Sequence, residues 1–255
     1  MGKNKLKKFA EMQTFSCVFQ YPWAVLQRDG FALRGNWNKE YFKNDNPIVL
    51  ELGCGKGEYT VGLARQYPDK NFIGIDIKGA RIWTGAKTAE TEGLKNVAFL
   101  RTGIELIESF FTEAEVAEIW ITFPDPQMQK TRRRLTSTRF LDLYRHILCS
   151  DGTVHLKTDS PFLYTYTDRL VTINKFPIKV NTNDLYAGDF VDPILSIKTF
   201  YEQQWLSRGK KIKYISFTLP KEGELIEPQE DDIEHDDYHS YQRGVAQGMI
   251  LDDNL

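Results

Sequence analysis

Cysteine is scarce in this chain: Cys17, Cys54 and Cys149 are the only three among 255 residues. The count is odd, the spacing is wide and no C-x-x-C pair occurs, which argues against a disulfide framework or a zinc site. Histidine is almost as rare. His146, His155, His235 and His239 are scattered, and the last two lie among acids, where a solvated tail is a better reading than a metal centre. No apolar run is long enough to span a bilayer, and the basic start lacks the apolar core of a leader peptide, so a cytoplasmic protein without a membrane partner is expected. Net charge is nearly absent too, at −2, and gives no global reason to expect a polyanion.

What is present is unevenly placed. Lys3, Lys5, Lys7 and Lys8 make a basic N-terminal arm; Lys130, Arg132, Arg133, Arg134 and Arg139 make a second basic cluster. Glu230, Asp231, Asp232, Glu234, Asp236 and Asp237 form an acidic tail. Apolar runs at 47–52, 71–76, 97–101, 118–123 and 152–157 alternate with helical stretches at 57–66, 79–92, 137–149 and 160–173. Such alternation predicts an α/β fold, doubly wound, with a mainly parallel sheet and helices on both faces. Residues 211–219 alternate with period two and read as a late antiparallel strand at the sheet edge. The expected organisation is an aromatic-rich arm at 1–40, a catalytic domain at 41–220 and a mobile acidic tail at 221–255.

The densest signal begins at Ile48-Val49-Leu50-Glu51-Leu52, which runs into Gly53-Cys54-Gly55-Lys56-Gly57 and then a helix. Glycines at a strand-to-helix turn let a ligand approach the backbone. Their G-x-G-x-G spacing is not the G-x-G-x-x-G that cradles a pyrophosphate. It is not a P-loop either, since Lys56 is followed by Gly57 rather than Ser or Thr. Glu51 would repel a pyrophosphate but could face an ammonium or a hydroxyl. The next strand ends on Asp76, about twenty positions on, where a carboxylate accepts hydrogen bonds from ribose hydroxyls. S-adenosylmethionine (SAM) has a ribose, an ammonium and a sulfonium and no phosphate, so the pattern favours SAM. A mere tight turn would not require Asp76 at that place.

The second signal is Phe123-Pro124-Asp125-Pro126 at the end of an apolar strand. Two prolines bracket the acid, so Asp125 is expected on a stiff loop beside the cofactor, placed to hold an acceptor base. The basic run Lys130 to Arg134 follows at once and reads as a phosphate clamp for nucleic acid rather than a solvated face. In open α/β sheets ligands bind beyond the carboxyl ends of the strands. Glu51, Asp76, the 102–105 segment, the 123–126 segment and Asp159 all fall at such ends.

Together these segments resemble the bacterial tRNA (guanine-N7-)-methyltransferase family over roughly residues 45–215. The residues that carry the resemblance are Glu51 to Gly57, Gly74-Ile75-Asp76, Phe123 to Pro126, Arg132 to Leu135, Thr158-Asp159 and Thr199-Phe200-Tyr201-Glu202. It implies a seven-stranded Rossmann-like class I methyltransferase with SAM as cofactor and tRNA as partner. By resemblance Glu51, Asp76 and Asp125 contact SAM or the reacting base, and Asp159, Thr199 and Glu202 bind substrate. Gly53, Gly55 and Gly57 join the cofactor set. Where the family has Asp-Ala near the adenine, this chain reads Thr102-Gly103-Ile104, which puts Gly103 there and Glu105 two residues late. The family's lysine after Phe-Pro-Asp-Pro falls on Gln129, with Lys130 next to it. Gln129, Lys130, Arg132, Arg133 and Arg134 complete the expected tRNA contacts.

The chemistry is consistent with these residue types. Guanine N7 has an exposed lone pair, so attack on the SAM methyl needs no obligatory base. Alignment and stabilisation of developing positive charge would carry catalysis. Asp125, or alternatively Asp159, suits that role, and either could read guanine's N1–H and amine. The resemblance implies position forty-six of the variable loop as the target. Competing readings are methyl transfer to an exocyclic amine, a non-catalytic RNA-binding protein on this scaffold and, last, a dehydrogenase. Monomer and homodimer are both open.

Overall fold

The structure is a computed structural model that describes residues 2–187, 195, 197–198 and 200–236. In chain order the strands are β1 (Val18–Gln20), β2 (Ile48–Leu52), β3 (Asn71–Ile75), β4 (Val97–Arg101), β5 (Val116–Thr122), β6 (Leu148–Thr158), β7 (Ile178–Thr182) and β8 (Lys213–Thr218). The α-helices are α1 (Gly2–Met12), α2 (Trp23–Asp29), α3 (Glu58–Gln66), α4 (Gly79–Glu92), α5 (Thr138–Ile147), α6 (Pro161–Ile173) and α7 (Phe200–Ser207).

Every residue of β2 and β3 is buried, as expected for central strands covered by helices on both faces. Side chains alternate across the sheet. Leu50, Leu52, Ile73, Ile75, Ile119 and Ile121 enter the core under α5 and α6, while Val49, Phe72, Phe99 and Trp120 enter the core under α3 and α4. All strands join one sheet of order β1-β4-β3-β2-β5-β6-β8-β7. Pairings from β1 through to β6 are parallel, and β8 runs antiparallel to both β6 and β7. Strand order reverses between β2 and β5, the switch point at which such sheets open a ligand crevice.

The sheet has eight strands where seven were expected. The addition is β1, which pairs Val18 to Phe99 and Gln20 to Arg101 and is too short to show a period in the sequence. The late strand is antiparallel as expected, but it does not lie at the edge. The polar, half-exposed β7 covers it. Residues from the N-terminal 40 also enter the core. Trp37 has no exposed surface, donates its indole N–H to the Phe110 carbonyl at 3.0 Å and stacks on Phe111 at 5.7 Å. The acidic segment was expected to be mobile. Through Asp236 it is laid across α5 and α6, with Arg169 pairing to Asp232 and the Thr138 hydroxyl donating to Glu227.

Candidate active site

Strands β4, β3, β2, β5 and β6 are adjacent and parallel, so their carboxyl ends lie side by side along one edge of the sheet. In that order they deliver the 102–105 segment, Asp76, the glycine loop, the 123–126 loop and Asp159. The five strand ends marked in the sequence therefore lie along one edge, the place where open α/β sheets bind ligands.

The glycine loop folds back on β3, with the Gly53 and Cys54 N–H groups both donating to the Ile75 carbonyl at 2.8 and 3.0 Å. Its three glycines have φ of 75°, 55° and 69° but are not equivalent. A Cβ on Gly53 would meet nothing within 4 Å, and one on Gly55 only the Gly53 carbonyl at 3.9 Å. Bare backbone here faces open space. A Cβ on Gly57 would strike Phe99 at 2.5 Å, and one on Gly85 of α4 would strike the Lys56 carbonyl at 2.7 Å. Close packing of α3 and α4 is what demands Gly57.

Asp76 sits one residue beyond β3, with its Oδ2 accepting the Gly55 N–H at 2.9 Å and its Oδ1 the Lys78 N–H at 2.7 Å. The carboxylate is thus locked to the glycine loop, and each oxygen keeps a lone pair for a hydroxyl. An open, Cβ-free loop beside an aimed carboxylate fits a ribose-bearing cofactor. On the neighbouring strand end, a Cβ on Gly103 would come within 3.0 Å of Glu105 Oε2. The late acid of the sequence therefore folds back over the Gly103 position.

Glu51 lies behind the loop and is only 3% exposed. Its Oε2 accepts from the Thr60 N–H at 2.9 Å and from the Thr60 hydroxyl, and its Oε1 from the Thr122 hydroxyl at 2.7 Å. Thr60 is in the first turn of α3, where N–H groups lack intrahelical acceptors. One carboxyl thereby ties β2, α3 and β5 together. Burial pushes its pKa up to about 7, against the opposing effect of the threonine hydrogen bonds.

Asp125 is exposed on its loop. Phe123 and Gln127 on either side both have φ of 48°, a left-handed conformation that costs a non-glycine residue about 1–2 kcal/mol. Phe123 N–H donates to the Lys157 carbonyl at 2.8 Å, and Gln127 N–H to Asp125 Oδ1 at 3.1 Å. The loop is stiff for a reason beyond its prolines: both ends are held in a strained turn.

The basic run divides. Gln129, Lys130, Arg132 and Arg133 are exposed, but Arg134 has no exposed surface. Its guanidinium donates to the Gln127 carbonyl at 3.2 Å and the Met128 carbonyl at 2.6 Å, pairs with Glu230, and lies over Phe162 and Tyr166 at 4.7 and 4.5 Å. The expectation that Arg134 contacts phosphate is corrected, since its donors point inward.

Asp159 follows β6 and is 3% exposed, with Lys210 Nζ 3.5 Å from Oδ2. Burial raises its pKa, and Lys210 opposes the shift. No sequence motif marked Lys210. Glu202 on α7 is fully buried and paired with the equally buried Lys157 at 2.8 Å, while the Tyr186 hydroxyl also donates to it. The pair anchors α7 to β6. A lysine in a central strand, next to Leu156, was a legible sign that a buried acid must meet it. Thr199 lies outside the described residues.

Fold and site define a class I methyltransferase, the class whose methyl donor is SAM. The family model described as "Putative methyltransferase" matches residues 45–215. A curated tRNA (guanine-N(7)-)-methyltransferase from Bacteroides fragilis is 59% identical over 249 residues, covering 98% of each chain. One of the same name from Porphyromonas gingivalis is 62% identical over 236 residues, covering 91% of this chain and 96% of the relative. Among solved structures, a 16S rRNA (adenine(1408)-N(1))-methyltransferase from Catenulisporales acidiphilia superposes with a TM-score of 0.54 at 13% identity, over 73% of this chain and 91% of that one. This last is a likeness of fold alone. The chain belongs to the tRNA (guanine-N(7)-)-methyltransferase family.

Proposed function

We propose that this chain transfers a methyl group from SAM to N7 of a guanine in tRNA, with Asp125 acting at the base. The observation that carries the assignment of Asp125 is its placement. It is an exposed carboxylate on a doubly strained loop at the centre of this edge, between the glycine loop with Asp76 on one side and Asp159 on the other, whereas the exposed Glu105 lies beyond Asp76.

Bound SAM supplies an electrophilic methyl on a sulfonium. Asp76 holds the ribose hydroxyls, and the open backbone of Gly53 and Gly55 admits the cofactor against the loop. Glu51 sits behind that loop, where a carboxylate stabilises a nearby ammonium. Gly103, with Glu105 folded beside it, borders the adenine end. Asp125 accepts hydrogen bonds from guanine and offsets the positive charge that grows on the base as N7 attacks. Asp159 is a second acceptor on the far side. Lys210 Nζ lies 3.5 Å from it and lowers the cost of its burial. Lys130, Arg132, Arg133 and Gln129 line the exposed rim beside this edge and suit phosphate contacts.

Asp125→Asn tests the assignment. The amide keeps the size of the side chain and can still accept the Gln127 N–H, but the charge is gone. Single-turnover methylation with both substrates saturating should slow by about 2–4 kcal/mol, the scale of losing one oriented electrostatic group. SAM and tRNA affinities should change much less. A rate within about threefold of wild type, under 1 kcal/mol, would move the role to Asp159. Nucleoside analysis of methyl-labelled tRNA checks N7 against exocyclic amines and maps the modified guanine, expected in the variable loop.

A further inference from the structure

We propose that Arg134 is a positioning residue that connects the Asp125 loop to the acidic C-terminal segment through Glu230. The proposal rests on Asp125 acting at the guanine.

The connection is continuous. Glu230 grips the far end of the loop with both oxygens, one paired to Arg134 and the other accepting the Thr131 hydroxyl at 2.8 Å. Arg134 turns its remaining donors onto the carbonyls of Gln127 and Met128. The N–H of Gln127 in turn holds the Asp125 carboxylate. Gln127 is therefore held on both faces: its carbonyl by Arg134, its N–H by Asp125. It is also one of the two left-handed residues of the loop, and the fork of Arg134 fixes the peptide that follows it.

The surroundings favour a built device over a chance contact. Arg134 is sandwiched on Phe162 and Tyr166 of α6, and the Tyr166 hydroxyl donates to Glu227. Further along, Asp236 accepts from Ser160 and from the Phe162 N–H at 2.9 Å at the start of α6, and its own N–H lies 3.2 Å from the Met128 sulfur. Three points of one acidic segment thus hold α6 and the loop together. A buried guanidinium with every donor pointed inward has no route to an RNA phosphate. Its effect on the reaction must pass through the loop.

The test compares Arg134→Lys and Glu230→Gln with wild type in the full chain. Lysine keeps the charge but has a single nitrogen in place of the three that bind Gln127, Met128 and Glu230. Glutamine keeps the shape of Glu230 and removes its charge. Misplacing a reacting group by about an ångström can slow a reaction on the order of a hundredfold. The single-turnover rate at saturating SAM and tRNA should fall about tenfold or more for Arg134→Lys and about threefold or more for Glu230→Gln. SAM affinity and the salt dependence of tRNA affinity should stay as in wild type, and deuterium uptake across residues 124–130 should quicken. If Arg134→Lys does not fold, Glu230→Gln carries the test alone. A folded Glu230→Gln protein with wild-type rate and wild-type exchange in the loop would overturn the proposal. So would tighter tRNA binding at an unchanged rate, which would make the segment a competitor of RNA instead. Asp125→Asn measured alongside separates the two readings. A fast Asp125→Asn overturns the role of Asp125, whereas a slow Asp125→Asn with an unaltered Glu230→Gln overturns only the connection.

Discussion

Glu51→Gln should make the protein more stable at alkaline pH while leaving it little changed in acid. The carboxyl of Glu51 titrates near 7 in the fold against 4.5 in an open chain, chiefly because burial disfavours its charge. Between those values the folded protein holds a proton that the unfolded chain has released. Stability from this group is therefore present below about 4.5 and is lost as pH rises toward about 7. A gap of that size corresponds to roughly 3 kcal/mol. Glutamine carries no charge, and its side-chain oxygen can still accept from Thr60. Urea denaturation at pH 5 and pH 8 should show the difference between mutant and wild type moving by roughly 2–3 kcal/mol in the mutant's favour. The same proton should be felt by the cofactor. A ligand ammonium near Glu51 favours the carboxylate, so SAM affinity should fall toward tenfold per pH unit below about 7, and the mutant should lose that dependence. A stability difference that stays constant from pH 5 to pH 8 would refute the reasoning. It would mean that the threonine hydrogen bonds, not burial, set the charge of Glu51.

Asp76→Ala should weaken SAM binding by about 1–3 kcal/mol, measured by calorimetry, the scale of a charge-assisted hydrogen bond; unchanged affinity would remove Asp76 from the ribose. Replacing both Arg132 and Arg133 by alanine should flatten the log–log salt dependence of tRNA affinity by about one to two units, with SAM affinity unmoved. An unaltered slope would return these exposed arginines to solvent. Lys157→Met leaves Glu202 buried without its cation, and urea denaturation should register a loss of about 3–5 kcal/mol. A near-neutral result would show that the Tyr186 hydroxyl alone satisfies the acid.

Much of this site could be read from the chain because its parts are local. A strand, its turn and the next residue are contiguous in Ile48–Gly57 and again in Ile119–Pro126, and the parallel sheet brings those ends together. What could not be read depended on distant partners. Arg134 looks like its neighbours in a basic run, and distant partners, Phe162 and Tyr166 with Glu230 nearly a hundred residues on, make it a buried residue. Gly57 looks like Gly53 and Gly55 until Phe99 and Gly85 crowd it. Strand β7 alternates only Ile178 and Val180 with polar residues, too short a run to stand out, and β1 has three residues, too few for a pattern. Glu51 was expected to face a ligand. Its burial and its raised pKa follow from Thr60 and Thr122 closing over it, which no spacing reveals.

Besides Glu105, four carboxyl groups crowd one edge of this sheet, and unrelieved repulsion among them would be costly. The fold relieves each in a different way. Glu51 keeps its proton up to about pH 7. Asp76 is met by two backbone N–H groups. Asp159 is screened by Lys210. Asp125 is left in water. The reaction brings a cationic methyl donor and then creates a cationic base, so negative potential at this edge gains value only when both are present. A rigid excess of carboxylates would bind the cofactor as readily and would destabilise the empty protein. A proton on Glu51 and a lysine beside Asp159 lower that cost while the site is empty.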